Sequence, residues 1–339
     1  MKRWFPAALA ALGGLGPWAA ACSAQHGSPG AQGTYDASEA DTSSPTTERG
    51  GDAAADDDAS PTQTYLRIAH VSPDMPPIDV CVALHGTGSY QGPLIGQLAA
   101  TNAGDAGEDA EGGGADGDAG LPGVSYAQVS AYLPLDPGDY DVRIVAAGAS
   151  SCDASTDGGA AVPDSTNLPA LTLAGYATLL VAGELSPFGT EPGINVGVLP
   201  DDAVLSGGAA SLRAINAIPS QPSLDFGMGS STTQWLAFVT DVHFAAASAQ
   251  VNPDDGAVDP NGYVGIAPLS DQAMSARSSS SDAATDVAAA SSVTIPLGSI
   301  ATVIAIGGKT GDSTHPPALL LCTDNQPSGG TLADCSIAQ

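Results

Sequence analysis

The sequence predicts an all-β protein: two tandem immunoglobulin-like or prealbumin-like antiparallel β-sandwiches behind a disordered N-terminal tether. Three observations predict it. Short runs with strand character recur between turn residues at sandwich spacing. Gly (42 of 339 residues) and Pro (26) are too frequent for long helices, and no segment keeps a helical period. The third is an internal repeat, in which LRIAHVSPDMPPIDV (66–80) aligns with LRAINAIPSQPSLDF (212–226).

In chain order, Lys2 and Arg3 precede an apolar stretch, Phe5 to Trp18, that is too short to span a bilayer. It ends in Ala19-Ala20-Ala21-Cys22, which resembles the lipobox of bacterial lipoproteins. That resemblance implies a signal peptide over 1–21, cleavage before Cys22, and a diacylglycerol and an acyl group such as palmitate on Cys22. Each buried methylene adds about 0.8 kcal/mol, so several chains anchor stably. Ala19 departs from the Leu usual at its place, and plain secretion by Ala-x-Ala cleavage is the alternative. Ser23, where Asp would signal retention, resembles the pattern that releases a lipoprotein to the outer membrane.

Residues 23–62 hold eight acidic residues, one Arg and almost nothing to bury, so this stretch cannot offset its chain entropy and reads as a disordered tether. Residues 64–205 read as the first sandwich. Its strands are Tyr65–Val71, Ile78–Leu84, Leu94–Leu98, Ser125–Tyr132, Tyr140–Ala146, Ala170–Leu173, Ala177–Ala182 and Ile194–Leu199, with a disordered acidic insertion at 101–123. Val142 and Ile144 alternate with Asp141 and Arg143, a half-buried pattern, after a Pro137-Gly138 reversal. Residues 209–339 read as a divergent second copy, with a boundary near Ser206-Gly207-Gly208 and a soft segment at 278–292. Two more blocks repeat in order: Pro134-Leu135 and Arg143 as Pro268-Leu269 and Arg277, then GYATLLVAG (175–183) as SIATVIAIG (299–307).

The blocks LRIAHVSPDMPPIDVCV, SAYLPLDPGDYDVRIVAAG and TLAGYATLLVAGEL resemble the domain-of-unknown-function family 4397. The resemblance covers 64–200 well and 210–324 more weakly, since Asn216 replaces His70 and the Pro-Gly-Asp-Tyr turn is lost. It implies an extracytoplasmic β module of bacterial envelope proteins and no known activity.

The net charge of −29 repels phosphate backbones and excludes nucleic-acid binding. Of five cysteines, lipid on Cys22 leaves Cys81, Cys152, Cys322 and Cys335. In an oxidising compartment these give two disulfides with three connectivities, of which Cys81–Cys152 and Cys322–Cys335 keep each bond inside one sandwich. No C-x-x-C pair supports zinc.

Basic residues are so scarce that Arg67, Arg143, Arg213 and Arg277 stand out, all at repeat-related places. By period two, Arg67, Asp79 and Arg143 point away from the apolar face of their strands. The expectation is a structural cross-strand ion pair of Arg67 or Arg143 with Asp79, and likewise of Arg213 or Arg277 with Asp225. An Arg-based anion site is the sharper alternative.

His70, Ser72 and Asp74 invite a hydrolase triad, yet they sit together on a strand end and its turn. The second copy has Asn216 and Ile218, and no G-x-S-x-G elbow exists, so Ser-Pro-Asp reads as turn chemistry. Gly308-Lys309-Thr310 lacks the first Gly of a P-loop, and Gly311-Asp312-Ser313 reads as a turn. The acidic stretches 105–118 and 252–260 match no EF-hand spacing, and His243 and His315 have no second ligand in sequence. Trp235, Phe238 and Phe244 read as core-strand aromatics, with sugar stacking on Trp235 as the alternative.

The sequence thus reads as an outer-membrane lipoprotein with binding or spacer modules, not an enzyme, without metal or cofactor. Its partners are the membrane through the lipid and an envelope protein or glycan. A glycan- or calcium-binding adhesin-like protein is the second reading, and a hydrolase using Ser72 and His70 the third.

Overall fold

The computed structural model describes residues 63–97, 123–153, 171–173, 175–201, 209–229, 234–248, 258–280, 285–324, 333 and 335–338. The signal peptide, Cys22, the acidic linker, the acidic insertion up to residue 122 and the Ser206-Gly207-Gly208 boundary lie outside these residues. All described residues fall in one compact unit, Asp56–Gln339.

Among the described residues the protein is nearly all β, with 57% strand and 3% helix. The first half runs β1 (Thr64–His70), β2 (Ile78–Leu84), β3 (Gln128–Val129), β4 (Leu133–Leu135), β5 (Gly138–Ala146), β6 (Leu171–Leu173), β7 (Tyr176–Ala182) and β8 (Asn195–Pro200). The second runs β9 (Ala210–Asn216), β10 (Ser223–Met228), β11 (Leu236–His243), β12 (Ala246–Ala247), β13 (Tyr263–Ile266), β14 (Leu269–Ser278), β15 (Asp286–Ile295), β16 (Ile300–Ile306), β17 (Ala318–Thr323) and β18 (Cys335–Ala338). Two expectations are corrected. Residues 94–97, expected as strand, form one helical turn, and 286–292 of the soft 278–292 segment lie in strand β15.

Each half is a sandwich of an inner and an outer sheet. The first pairs β3-β1-β7-β8, with β4 also on β1, against β2-β5-β6. The second pairs β12-β9-β16-β17-β18, with β13 also on β9, against β11-β10-β14-β15. One parallel pair per half, β1 with β7 and β9 with β16, interrupts the antiparallel pairing. The halves match in register: Arg67 stands opposite Thr178 as Arg213 stands opposite Thr302. Leu66 faces Leu133 as Leu212 faces Val264.

Three apolar layers separate four sheets. Leu66, Ile68, Val80, Ile144 and Leu179 fill the first sandwich, and Leu212, Phe226, Met274 and Val303 the second. The third layer lies between the two inner sheets, where Ala69, Val71, Leu180 and Ala182 meet Ile215, Ala217, Ile304 and Ile306. The inner strands are therefore buried on both faces, which is why TLLVA and TVIAI read as unbroken apolar runs. Period-two alternation decides which core each residue enters: Ala177, Leu179 and Val181 face inward, and Leu180 and Ala182 face the other half.

Candidate functional site

The strongest convergence of charge lies between the inner sheets. Leu66 and Ile68 enter the first core, so Arg67 between them must point at the other half. Its side chain is only 2% exposed. Its Nε donates to the Thr178 hydroxyl at 2.8 Å, one terminal nitrogen donates to Thr323 O at 3.4 Å, and the other pairs with Asp324. Arg213 repeats this in exchange. Its Nε donates to Thr302 at 3.2 Å, and its terminal nitrogens reach Pro200 O at 2.6 Å and Asp201 at 2.5 Å. Each guanidinium therefore docks on the end of the other half's strand β8 or β17. Asp201 also accepts from Thr178 at 2.6 Å and Tyr132 at 2.8 Å. Asp324 accepts from Thr302 at 2.5 Å and Tyr263 at 2.8 Å. The two tyrosine rings cover Arg67 and Arg213 at 5.0 and 4.7 Å.

The knot is charge-neutral and closed. Burial works against the charges of Arg67 and Arg213, but the carboxylates outweigh it and keep both guanidinia firmly protonated. Burial likewise pushes Asp201 up, and Arg67 and Arg213 overcome it and hold the carboxyl below its usual range. Burial raises the hydroxyls of Tyr132 and Tyr263 further still, so neither is placed to give up a proton near neutrality.

This overturns the expected ion pairs. Neither Arg67 nor Arg143 pairs with Asp79, whose carboxylate accepts the amides of Val80 at 2.7 Å, Ile95 at 2.9 Å and Gly96 at 2.8 Å. Asp79 holds the helical turn against β2, and burial raises its pKa despite those amides. Arg143 stands opposite Cys81, stacks on Tyr90 at 4.0 Å and donates to Cys152 O at 2.5 Å. Arg213 goes to Asp201, and Asp225 accepts from Asp241 N and Ser279 instead. Arg277 does stand opposite Asp225, yet its guanidinium turns to Asp286 at 2.9 Å and stacks on Trp235 at 4.3 Å. Arg143 and Arg277 are not equivalent places. The sheet registers set Val145 opposite Asp79 but Arg277 opposite Asp225, a two-residue offset in a β14 that carries register shifts. Reading period two as a solvent face failed because the second face of an inner sheet is also core.

His70 and Ser72 do not form a triad. The ring contacts Pro76 O through Nε2 at 3.1 Å and accepts Ser72 N through Nδ1, at 3.4 Å. The Ser72 hydroxyl is buried and bonds neither His70 nor any other described residue. Asp74 turns away to cap the amides of Leu185 and Ser186 at 2.7 and 2.9 Å. Asn216 does the same corner work in the second half, donating to Gln221 O and accepting Ile218 N. Burial lowers the His70 pKa to about 4.

The two disulfides are Cys81–Cys152 and Cys322–Cys335, as the one-bond-per-sandwich pairing expects. Trp235 lies across Gly227, where an added Cβ would sit 2.4 Å from the indole. One face is thus covered by strand and Arg277 stacks on the ring, which leaves it poorly placed to stack a sugar. Asp312 caps its own turn through Thr314, and His315 bonds Asp312 at 2.8 Å. Of the 252–260 stretch only 258–260 is described, and Asp259 there accepts the amides of Asn261 and Tyr263. The 105–118 stretch lies outside the described residues. Among the described residues, no group of three or more His, Cys, Asp or Glu is placed to hold a metal. One end of the first sandwich carries a cleft of about 400 Å³ lined by Val82, Leu84 and Tyr140 with Gln63, Gln91 and Asp136. It has no cation to meet an anionic ligand.

Sequence reasoning missed Asp201, Asp324, Tyr132, Tyr263, Thr178 and Thr302. Thr178 and Thr302 were in view, since they occupy one place in the aligned GYATLLVAG and SIATVIAIG blocks.

The sequence profile of the family described as Domain of unknown function (DUF4397) matches residues 109–227. The matched stretch runs from the acidic insertion into β10, across both halves, rather than covering 64–200 and 210–324 as two copies. No curated protein matches the chain. Among solved structures, a leucine-rich repeat protein from Bacteroides thetaiotaomicron is similar at 13% identity over 74% of this chain, with a TM-score of 0.17. This chain spans 27% of that protein's length, and so low a score defines no shared fold.

Proposed function

We propose that the protein is an envelope lipoprotein whose two sandwiches form one rigid, non-catalytic module for binding or spacing, anchored by acylated Cys22 and set off from the outer membrane by the acidic tether. The observation that carries this reading is how the chain spends its scarce cations. Two of its eight basic residues are shut inside a neutral knot that joins the halves, where they serve rigidity rather than a ligand. Two disulfides suit an oxidising compartment. The lipobox resemblance at Ala19–Cys22 supplies the anchor.

Metabolic labelling with a clickable palmitate analogue tests it. The wild type should take up label and sediment with membranes, and Cys22→Ala should do neither. Equal labelling of the two, or an unlabelled wild type in the soluble fraction, would remove the lipoprotein reading.

A further inference from the structure

The two inner sheets end differently. Asp201 N donates to Tyr176 O and Asp324 N to Ile300 O, which fixes the phase of both antiparallel ladders. In β8 the amides of Asn195, Gly197 and Leu199 therefore face β7, and those of Val196 and Val198 face outward. Pro200 O lies on the same outward row, and it is the oxygen that Arg213 meets. In the second half the matching outward groups belong to Leu319 and Leu321, and strand β18 covers them with Ala338 and Ser336. The Cys322–Cys335 bond pins that added strand. Among the described residues nothing pairs with the β8 edge, which ends its sheet.

That edge, NVGVLP, is half-buried to exposed and carries no charge, although edge strands are commonly blunted by Lys, bulges or Pro. Pro200 blunts only its end. A Cβ on Gly197 would meet nothing within 4 Å, so the sheet face at mid-strand is open where an added strand's side chains would lie.

We propose that the β8 edge is a docking site for an extended, uncharged segment of a partner protein, which adds antiparallel to β8 as β18 adds to β17. The uncharged Cys-Ser-Ile-Ala of β18 shows the chemistry that the equivalent edge accepts. A second copy is disfavoured because two chains of net charge −29 repel each other. The inference rests on the binding half of the function proposed above and is independent of the anchor.

The register makes a thiol trap. Leu199 occupies the place of Cys322, so a full-length Leu199→Cys chain, on a Cys22→Ser background, is incubated in a buffer of reduced and oxidised glutathione with the end-capped, uncharged synthetic peptide Ala-Cys-Ser-Ile-Ala-Gln. The mixed disulfide should form about tenfold more than on Leu297→Cys, an exposed site in the turn between β15 and β16. Adding Val198→Pro removes an outward N–H without touching the β7 ladder, and should bring the yield down to the Leu297→Cys level, whereas Val198→Ala, which loses the same packing against the first core but keeps the N–H, should leave the yield high. Equal yields at the two sites, or a yield indifferent to Val198→Pro, would overturn the proposal. A disulfide-linked homodimer formed in preference to the peptide adduct would overturn it in favour of a second copy. Palmitate labelling fails or succeeds separately, so the two readings stand or fall apart.

Discussion

Asp201→Asn takes one charge out of the knot while keeping the side chain's size. Arg213 at 2.5 Å and Arg67 at 3.3 Å both depend on this carboxylate, and none of the three is more than 2% exposed. The variant leaves two buried guanidinia facing only Asp324, and breaking a buried pair in this way costs about 3–5 kcal/mol. No cavity forms, so packing adds little. In a body of this size each kcal/mol lowers the melting temperature by about 2–4 °C, which predicts a drop of roughly 6–20 °C. Guanidinium titration followed by circular dichroism, with the disulfides intact at pH 7, reads the difference. Arg213→Met alone should cost a similar amount, while the double variant restores neutrality and should lose clearly less than the sum. A loss below about 1 kcal/mol for Asp201→Asn, or additivity within about 0.5 kcal/mol, would refute the account of the knot as one interacting unit. The folded pKa of Asp201 is depressed, so its contribution is present above the ordinary carboxylate range and disappears as pH falls through the folded value. The gap between wild type and variant should therefore close in acid, below about pH 4.

Three further outcomes follow from single contacts. His70 stays neutral down to about pH 4 when folded, whereas an unfolded histidine takes its proton near 6.5. Stability is thus full above pH 6.5 and falls by roughly 3 kcal/mol on the way to pH 4; His70→Asn should flatten that fall in urea titrations, and an unchanged pH slope would contradict the burial argument. Gly227→Ala drives a methyl into Trp235 and should destabilise by about 1–3 kcal/mol, with a shift in tryptophan emission; a silent substitution would mean the indole does not rest on the strand. Cys81–Cys152 closes a separation of 71 residues and Cys322–Cys335 one of 13. Paired Cys→Ser variants should lose about 4 and about 3 kcal/mol respectively, in that order, if loop entropy dominates.

The strands were legible because alternation, turn residues and the repeat all pointed one way. Strands β1, β2, β5 and β7 lie within two residues of the runs read from sequence. The partners were not legible, because pairing across layers leaves no short-range trace. Arg67 finds Asp324 at the far end of the chain, while Asp79, close by in sequence but on β2 in the other sheet, is taken up by amides. Period two also says only which side a residue faces, and it cannot say whether that side meets water. For an outer strand such as β5, Asp141 and Arg143 keep partial exposure, as alternation implies. For β1 and β9 the second face meets another sheet, so an arginine that looked solvated is among the most buried side chains in the protein. The apolar runs in β7 and β16 carried the warning, since a half-exposed strand would alternate more strictly.

The layer between the inner sheets also shows why charges are kept where aliphatic side chains would pack. Ala69, Val71, Ile215 and Ile306 make an attractive but non-directional contact, and two flat apolar faces alone could settle at several offsets. A slide of one residue along a strand moves the partner by about 3.3 Å. That would carry Arg213 out of reach of both Asp201 and Pro200 O, and Arg67 out of reach of Asp324 and Thr323 O, at a cost that no apolar gain of that size offsets. Because each guanidinium reads the strand end of the opposite half, only one docking satisfies both at once. The same knot makes a half expressed alone a poor domain. It would present Ala69, Val71, Leu180 and Ala182 to water beside an arginine and an aspartate built for burial, and we expect residues 1–205 alone to aggregate or bind hydrophobic dye where the full chain does not.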